Sequence, residues 1–199
     1  MQSLFGTYLE LGFTHILDPT AYDHLLYLVA LCAPYRAQNW SSLLLLATAF
    51  TLGHSVTLAL VGLEIVLLPT AWIEFFIPLS ILLTMLWHVW RAGRNPVPPR
   101  SVGGPLYTLV FGFGLIHGAG FSTLFRATAF PGETGEVWKQ LLSFNLGVEL
   151  GQGVIILGIL LMSYVALSLL RLPYRWWLWL LAAPVLAVSL QLLVDTYPL

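Results

Sequence analysis

Long apolar runs, interrupted by single polar residues, alternate with short polar links along this chain, and their length predicts helices that cross a membrane. A spanning helix needs ~20 mostly apolar residues. By that measure spans fall near 20–35, 40–61, 71–91, 105–127, 140–170 and 173–195. The runs are continuous rather than alternating, which argues against strands. The expected fold is therefore all-α, a polytopic membrane protein built as a six-transmembrane-helix bundle. The links leave no room for a soluble unit, so residues 1–199 are expected to form a single integral membrane domain. Residues 1–18, with the apolar stretch Leu4 to Leu17, are expected to lie on or dip into the outer interface.

Composition supports the membrane reading. Charged residues are 9% of the chain and hydrophobic types 58%, whereas a soluble domain carries about 25% charged residues. The net charge of −1 and the lack of any basic tract give no footing for nucleic acid. Cys32 is the only cysteine, which excludes an internal disulfide and a cysteine-rich metal site. Met1 to Glu10 lacks a basic stretch followed by an apolar one, so no cleavable signal peptide is expected.

Lys and Arg placement sets the expected orientation. Arg36, Arg91, Arg94, Arg100, Arg171 and Arg175 fall in alternate links, while the opposite links hold Arg126 and Lys139, offset by Glu133 and Glu136. Both termini are thus expected to face outward, in the periplasm of a Gram-negative cell, with the protein in the bacterial inner membrane.

On that topology the costly groups gather in one outer layer. Asp23 and His24 open the first span, with His15 and Asp18 just before it. His54 lies in the second, Glu74 near the start of the third, His117 in the fourth, and Asn145, Glu149 and Gln152 in the fifth. Ionisable groups within hydrocarbon cost several kcal/mol unless paired, hydrated or bound. Asn145, Glu149 and Gln152 share one helical face, while Gly147, Gly151 and Gly158 lie opposite, where another helix can approach. Asn145 and Gln152 also fit simple interhelical hydrogen bonding. Ser55 adjoins His54, and Ser80, Thr84 and His88 follow one face of the third span as a possible pathway, although His88 also reads as an interfacial histidine. Imidazole with carboxylate suits a divalent transition metal, Ni, Co, Zn or Fe; affinity order alone does not choose among them.

The motifs Phe50-Thr-Leu-Gly-His-Ser-Val-Thr-Leu58, Phe113-Gly-Leu-Ile-His-Gly-Ala-Gly-Phe121 and Phe144-Asn-Leu-Gly-Val-Glu-Leu-Gly-Gln152, with His15 and Asp23-His24 before them, resemble the HupE/UreJ membrane proteins over about residues 12–155. The resemblance implies a six-helix inner-membrane protein linked to hydrogenase and urease maturation, proposed to pass nickel or cobalt inward, with metalloenzyme maturation proteins as candidate partners. It places the family's His-to-Asp-His element on His15, Asp23 and His24, and its histidine-glycine element on His117 and Gly118. Seven residues separate His15 from Asp23, more than in the family pattern, which raises Asp18 as an alternative ligand.

The residues suit a permease with metal ligands among His24, His54, His117, Glu149, Asp23, His15 and Asp18. They also suit an intramembrane metalloenzyme acting on a lipid or other buried substrate, and a b-type haem held between His54 and His117. The conduit-like face of the third span favours transport. No Walker motif is present, so ATP is not used by this chain alone.

Overall fold

The computed structural model describes residues 3–198 apart from 21, 63–64, 67–68 and 129–136, and the backbone alone at 62, 121–128 and 137. Glu133, Glu136 and the Arg126 side chain thus lie outside the described residues. Among those described there is no strand. Seven α-helices follow one another: α1 (Leu4–Leu17), α2 (Asp23–Cys32), α3 (Trp40–Gly62), α4 (Thr70–Arg94), α5 (Gly104–Thr128), α6 (Val137–Tyr164) and α7 (Tyr174–Asp195). Among the described residues, four stretches are long and apolar enough to cross a membrane: Ala37–Val61, Thr70–Arg94, Trp138–Leu169 and Tyr174–Asp195.

The first expected span is corrected. Its helix, α2, has ten residues, about 15 Å at 1.5 Å per residue, which is too short to cross hydrocarbon by itself. The reason is local. Helix α1 starts where the Ser3 hydroxyl accepts the Gly6 N–H at 3.1 Å. It stops at Asp18, because the residue before Pro19 is driven out of helical geometry; Asp18 sits at φ −66° and ψ 116°. The Asp18 carboxylate then accepts both the N–H (2.8 Å) and the hydroxyl (2.7 Å) of Thr20, which closes the turn. Asp23 restarts the chain as α2, in the first turn where the helix dipole favours a carboxylate.

Glycines set the packing. A Cβ at Gly12 would strike the Phe144 carbonyl oxygen, and one at Gly147 the Leu9 carbonyl oxygen, so α1 lies backbone to backbone along α6. Gly53 and Gly114 do the same for α3 and α5, meeting the carbonyl oxygens of Phe111 and Phe50. Both contacts pair helices running in the same direction, since partner numbers rise together (Gly114 with Phe50 and His54, Gly118 with His54; Gly147 with Leu9 and Phe13, Gly151 with Phe13 and Ile16). Gly158 is a correction to the expected seam: nothing lies within 4 Å of a Cβ built there.

Helix α2 runs against α3 and α5, its His24 beside His54 and His117 and its Tyr27 beside Phe50 and Phe113. Its far end is tied down where Trp177 Nε1 donates to the Ala33 carbonyl at 3.0 Å and Ser163 Oγ to the Tyr35 carbonyl at 3.3 Å. Arg36, Arg91 and Arg175 gather at this end, and Asn39 Nδ2 donates there to the Arg100 carbonyl at 3.0 Å. This is the arginine end of the bundle. Leu45, Leu52, Leu142, Leu157, Leu161 and Trp176 are largely exposed on the bundle's outside, as side chains facing lipid should be.

Candidate metal centre

Four imidazoles from four helices converge. His15 closes α1, His24 opens α2, and His54 and His117 lie within α3 and α5. The His15 and His24 ring centroids are 4.8 Å apart, His24 and His117 5.4 Å, His24 and His54 6.0 Å, and His15 and His54 6.4 Å. Ligand atoms of His15, His24 and His54 all lie within 4.8 Å of one another. A tetrahedral ion with bonds of about 2.0–2.1 Å needs donors roughly 3.4 Å apart. The set therefore has the right donors, and their separations must shrink by up to about 1.4 Å to close on an ion.

Two of the rings are aimed by their second nitrogen. His117 Nδ1 donates to the Phe113 carbonyl at 2.9 Å, and His24 Nδ1 meets the Asp23 carboxylate at 3.2 Å. In a neutral ring each bond takes the Nδ1 proton and leaves Nε2 with a lone pair, the arrangement that orients metal-bound imidazole. Both Nε2 atoms are buried without a hydrogen-bond partner. Burying such an atom unsatisfied costs about 1–3 kcal/mol, so the pair favours a bound group that accepts their lone pairs. Glycine makes the convergence possible: Gly118, beside His117, lets α5 touch the His54 backbone itself.

Aromatic rings enclose the layer. Phe50 lies 5.0 Å from His117 and 5.0 Å from Tyr27, which is in turn 6.0 Å from Phe113; buried Tyr27 and Phe50 with half-buried Phe113 form a floor towards the arginine end. On the other side Phe144 lies 6.0 Å from His15 and stacks 6.2 Å from His54. None of these four aromatic residues was singled out from the sequence for a role of its own, because an aromatic in an apolar helix carries no signal of what it covers.

Asp23 is partly exposed (27%) beside His24, and Asp18 is exposed in the turn it closes. Glu149, like His117, is not among the three residues whose ligand atoms lie within 4.8 Å of one another, and it accepts a hydrogen bond from Thr48 of α3. One turn along, Thr51 donates to Gln152 at 2.9 Å, so α3 and α6 share a polar seam between the histidines and the arginine end. Thr48, missed in the sequence reading, lies six residues before His54 on the face that this seam defines. Asn145 is half-buried on α6, Ser55 donates back to the Thr51 carbonyl at 2.6 Å, and Glu74 is exposed on α4. Ser80 and Thr84 bond their own helix carbonyls, at Ile77 (2.7 Å) and Ser80 (2.8 Å). His88 is buried at the arginine end, 6.1 Å from Tyr35, beside a cavity of about 380 Å³.

No curated protein and no solved structure matches this chain. The family described as HupE / UreJ protein matches residues 1–195. The histidine layer and the apolar helices thus stand in a chain that belongs to the HupE/UreJ family, whose character is that of a membrane protein with a metal-transport or accessory role.

Proposed function

We propose that this protein is a divalent transition-metal permease, of nickel or cobalt type, in the bacterial inner membrane. The observation that carries the reading is the pair of bare Nε2 atoms, on His24 and His117, inside a layer of four imidazoles from four helices. His15, His24, His54 and His117 take over part of the ion's water shell, and Asp23 orients His24 and attracts the cation. Asp18 collects cations at the mouth. Glu149, held by Thr48, offers the next oxygen donor towards the arginine end, while Thr51 and Gln152 tie α3 to α6 beside it. The positive-inside rule makes that end cytoplasmic. With α1 and α2 counted as one interrupted crossing, the bundle has six spans with both termini outward.

The test is elemental analysis of the purified protein together with flux of the metal found, in proteoliposomes. Saturable uptake that disappears in His24→Ala and His117→Ala supports the permease. The aromatic floor of Tyr27, Phe50 and Phe113 favours a second reading, a one-sided metalloenzyme pocket. Stoichiometric metal without flux would select it.

A further inference from the structure

The same backbone contacts occur twice. A Cβ at Gly12 meets the Phe144 carbonyl and the Val148 N; one at Gly114 meets the Phe50 carbonyl and the His54 N. A Cβ at Gly147 meets the Leu9 carbonyl and the Phe13 N; one at Gly53 meets the Phe111 carbonyl and the Leu115 N. Superposing these sets matches α1 with α5 and α3 with α6. The sequence agrees at both places: Gly12-Phe-Thr-His15 against Gly114-Leu-Ile-His117, and Phe50-Thr-Leu-Gly53 against Phe144-Asn-Leu-Gly147.

The matched helices run in opposite directions. Helix α3 begins at the arginine end, near Tyr35, where α6 finishes with Ser163. Helix α1 follows α6, and α5 follows α3, so each member of a matched pair is inverted. The remaining pair obeys the same rule. Helices α4 and α7 are antiparallel, with Phe75 5.8 Å from Tyr197 at one end and Val89, Ala92 and Gly93 beside Arg175 and Leu178 at the other. Two three-helix units, 4–94 with α2 inserted and 104–195, thus have inverted topology.

We infer that this chain is an inverted repeat in which Phe50 and Phe144 are equivalent gates on opposite sides of the histidine layer. Phe50 lies one turn before His54 on a helix that rises from the arginine end, so its ring covers the layer from that side. Phe144 lies near the start of α6, which runs towards the arginine end. Gly12 packs between Phe144 and Val148, and His15 is nearly one turn further along α1, so Phe144 covers the layer from the opposite side. Each gate carbonyl is clamped by a glycine of the partner helix, so a gate moves with its pair, α1/α6 or α3/α5. Inversion makes the two pairs alternative solutions of one packing problem: tilting one against the other exchanges which gate is shut. This is the alternating access that inverted repeats give other transporters. It deepens the permease reading and rests on it for the cargo alone.

The experiment uses Cys32→Ser/His54→Cys protein, with the reporter thiol between the gates, in sided proteoliposomes treated with a membrane-impermeant methanethiosulfonate. Phe50→Ala should raise labelling from the arginine end only, and Phe144→Ala from the opposite end only. A second form keeps both gates. Thr51→Cys/Gln152→Cys in Cys32→Ser, bridged by a short bifunctional thiol reagent, ties α3 to α6. Bridging should slow metal flux roughly tenfold or more, because it blocks a transition on the microsecond-to-second scale, while metal binding is kept and reducing the bridge restores flux. Labelling that rises from the same side in both gate variants, or stays unchanged in both while each melts as its gate-bearing parent does, overturns the inference. So does full flux in the bridged protein. Mirrored labelling together with no wild-type flux would instead leave the gates standing and sink the permease.

Discussion

Replacing Gly114 by alanine sets a methyl group against backbone, and the cost can be worked from what that methyl meets. The Phe50 carbonyl oxygen lies well inside contact distance, with its carbon at 3.0 Å and the His54 N at 3.1 Å. Alanine in place of glycine within a helix gains about 0.5–1 kcal/mol. Overpacking costs about 1–3 kcal/mol, and the upper part of that range applies because a carbonyl in a helix cannot rotate away as a side chain can. The net effect is a loss of about 1–2 kcal/mol. Gly158 is the control, since nothing lies within 4 Å of its Cβ position, and Gly158→Ala should gain up to ~1 kcal/mol. Unfolding of purified protein in mixed micelles, followed by tryptophan fluorescence, measures both. Gly114→Ala should melt below wild type and Gly158→Ala at or above it. Because α5 shifts against α3, Gly114→Ala should also weaken metal binding. A Gly114→Ala protein as stable as wild type, or a Gly158→Ala protein destabilised to the same degree, would refute the backbone-contact reasoning.

His24→Ala and His117→Ala should each reduce metal affinity by more than the roughly 10–100-fold typical of losing an orienting partner, read by equilibrium dialysis, with the protein still in the membrane. Asp23→Asn keeps the shape but loses the charge held at 3.2 Å from His24 Nδ1, so affinity should fall by about 10–100-fold in the same assay. His88→Ala should leave affinity unchanged, because the Ser80 and Thr84 hydroxyls on its helix face are committed to their own carbonyls; a fall in affinity would place His88 within the binding layer. Cys32→Ser should retain full metal binding, since the thiol is buried among apolar side chains away from the layer.

Much of the centre was legible because it is costly. His24, His54 and His117 stood out in apolar helices where an ionisable group needs a reason, and the structure gathers them. Glu149 stood out equally, yet it sits with Thr48. Its partner is chosen by how α6 is rotated against α3, which a helical face on one strand of sequence does not report. The glycine motif of α5 pointed to close packing, while the matching role of Gly12 went unnoticed because a stretch of 14 residues looked too short to cross a bilayer.

From sequence alone came the membrane solvent, the helical class, most helix boundaries and the imidazole chemistry. These follow from local quantities: run length, hydropathy, the proline after Asp18 and the desolvation cost of histidine. Tertiary structure decided that α1 lies backbone to backbone on α6 while α2 runs against α3 and α5, that four rings meet, and that Phe50 and Phe144 face the layer from opposite sides. A four-residue motif reads identically whichever way its helix crosses the bundle; direction and rotation exist only once backbones such as those at Gly12 and Gly114 touch their neighbours.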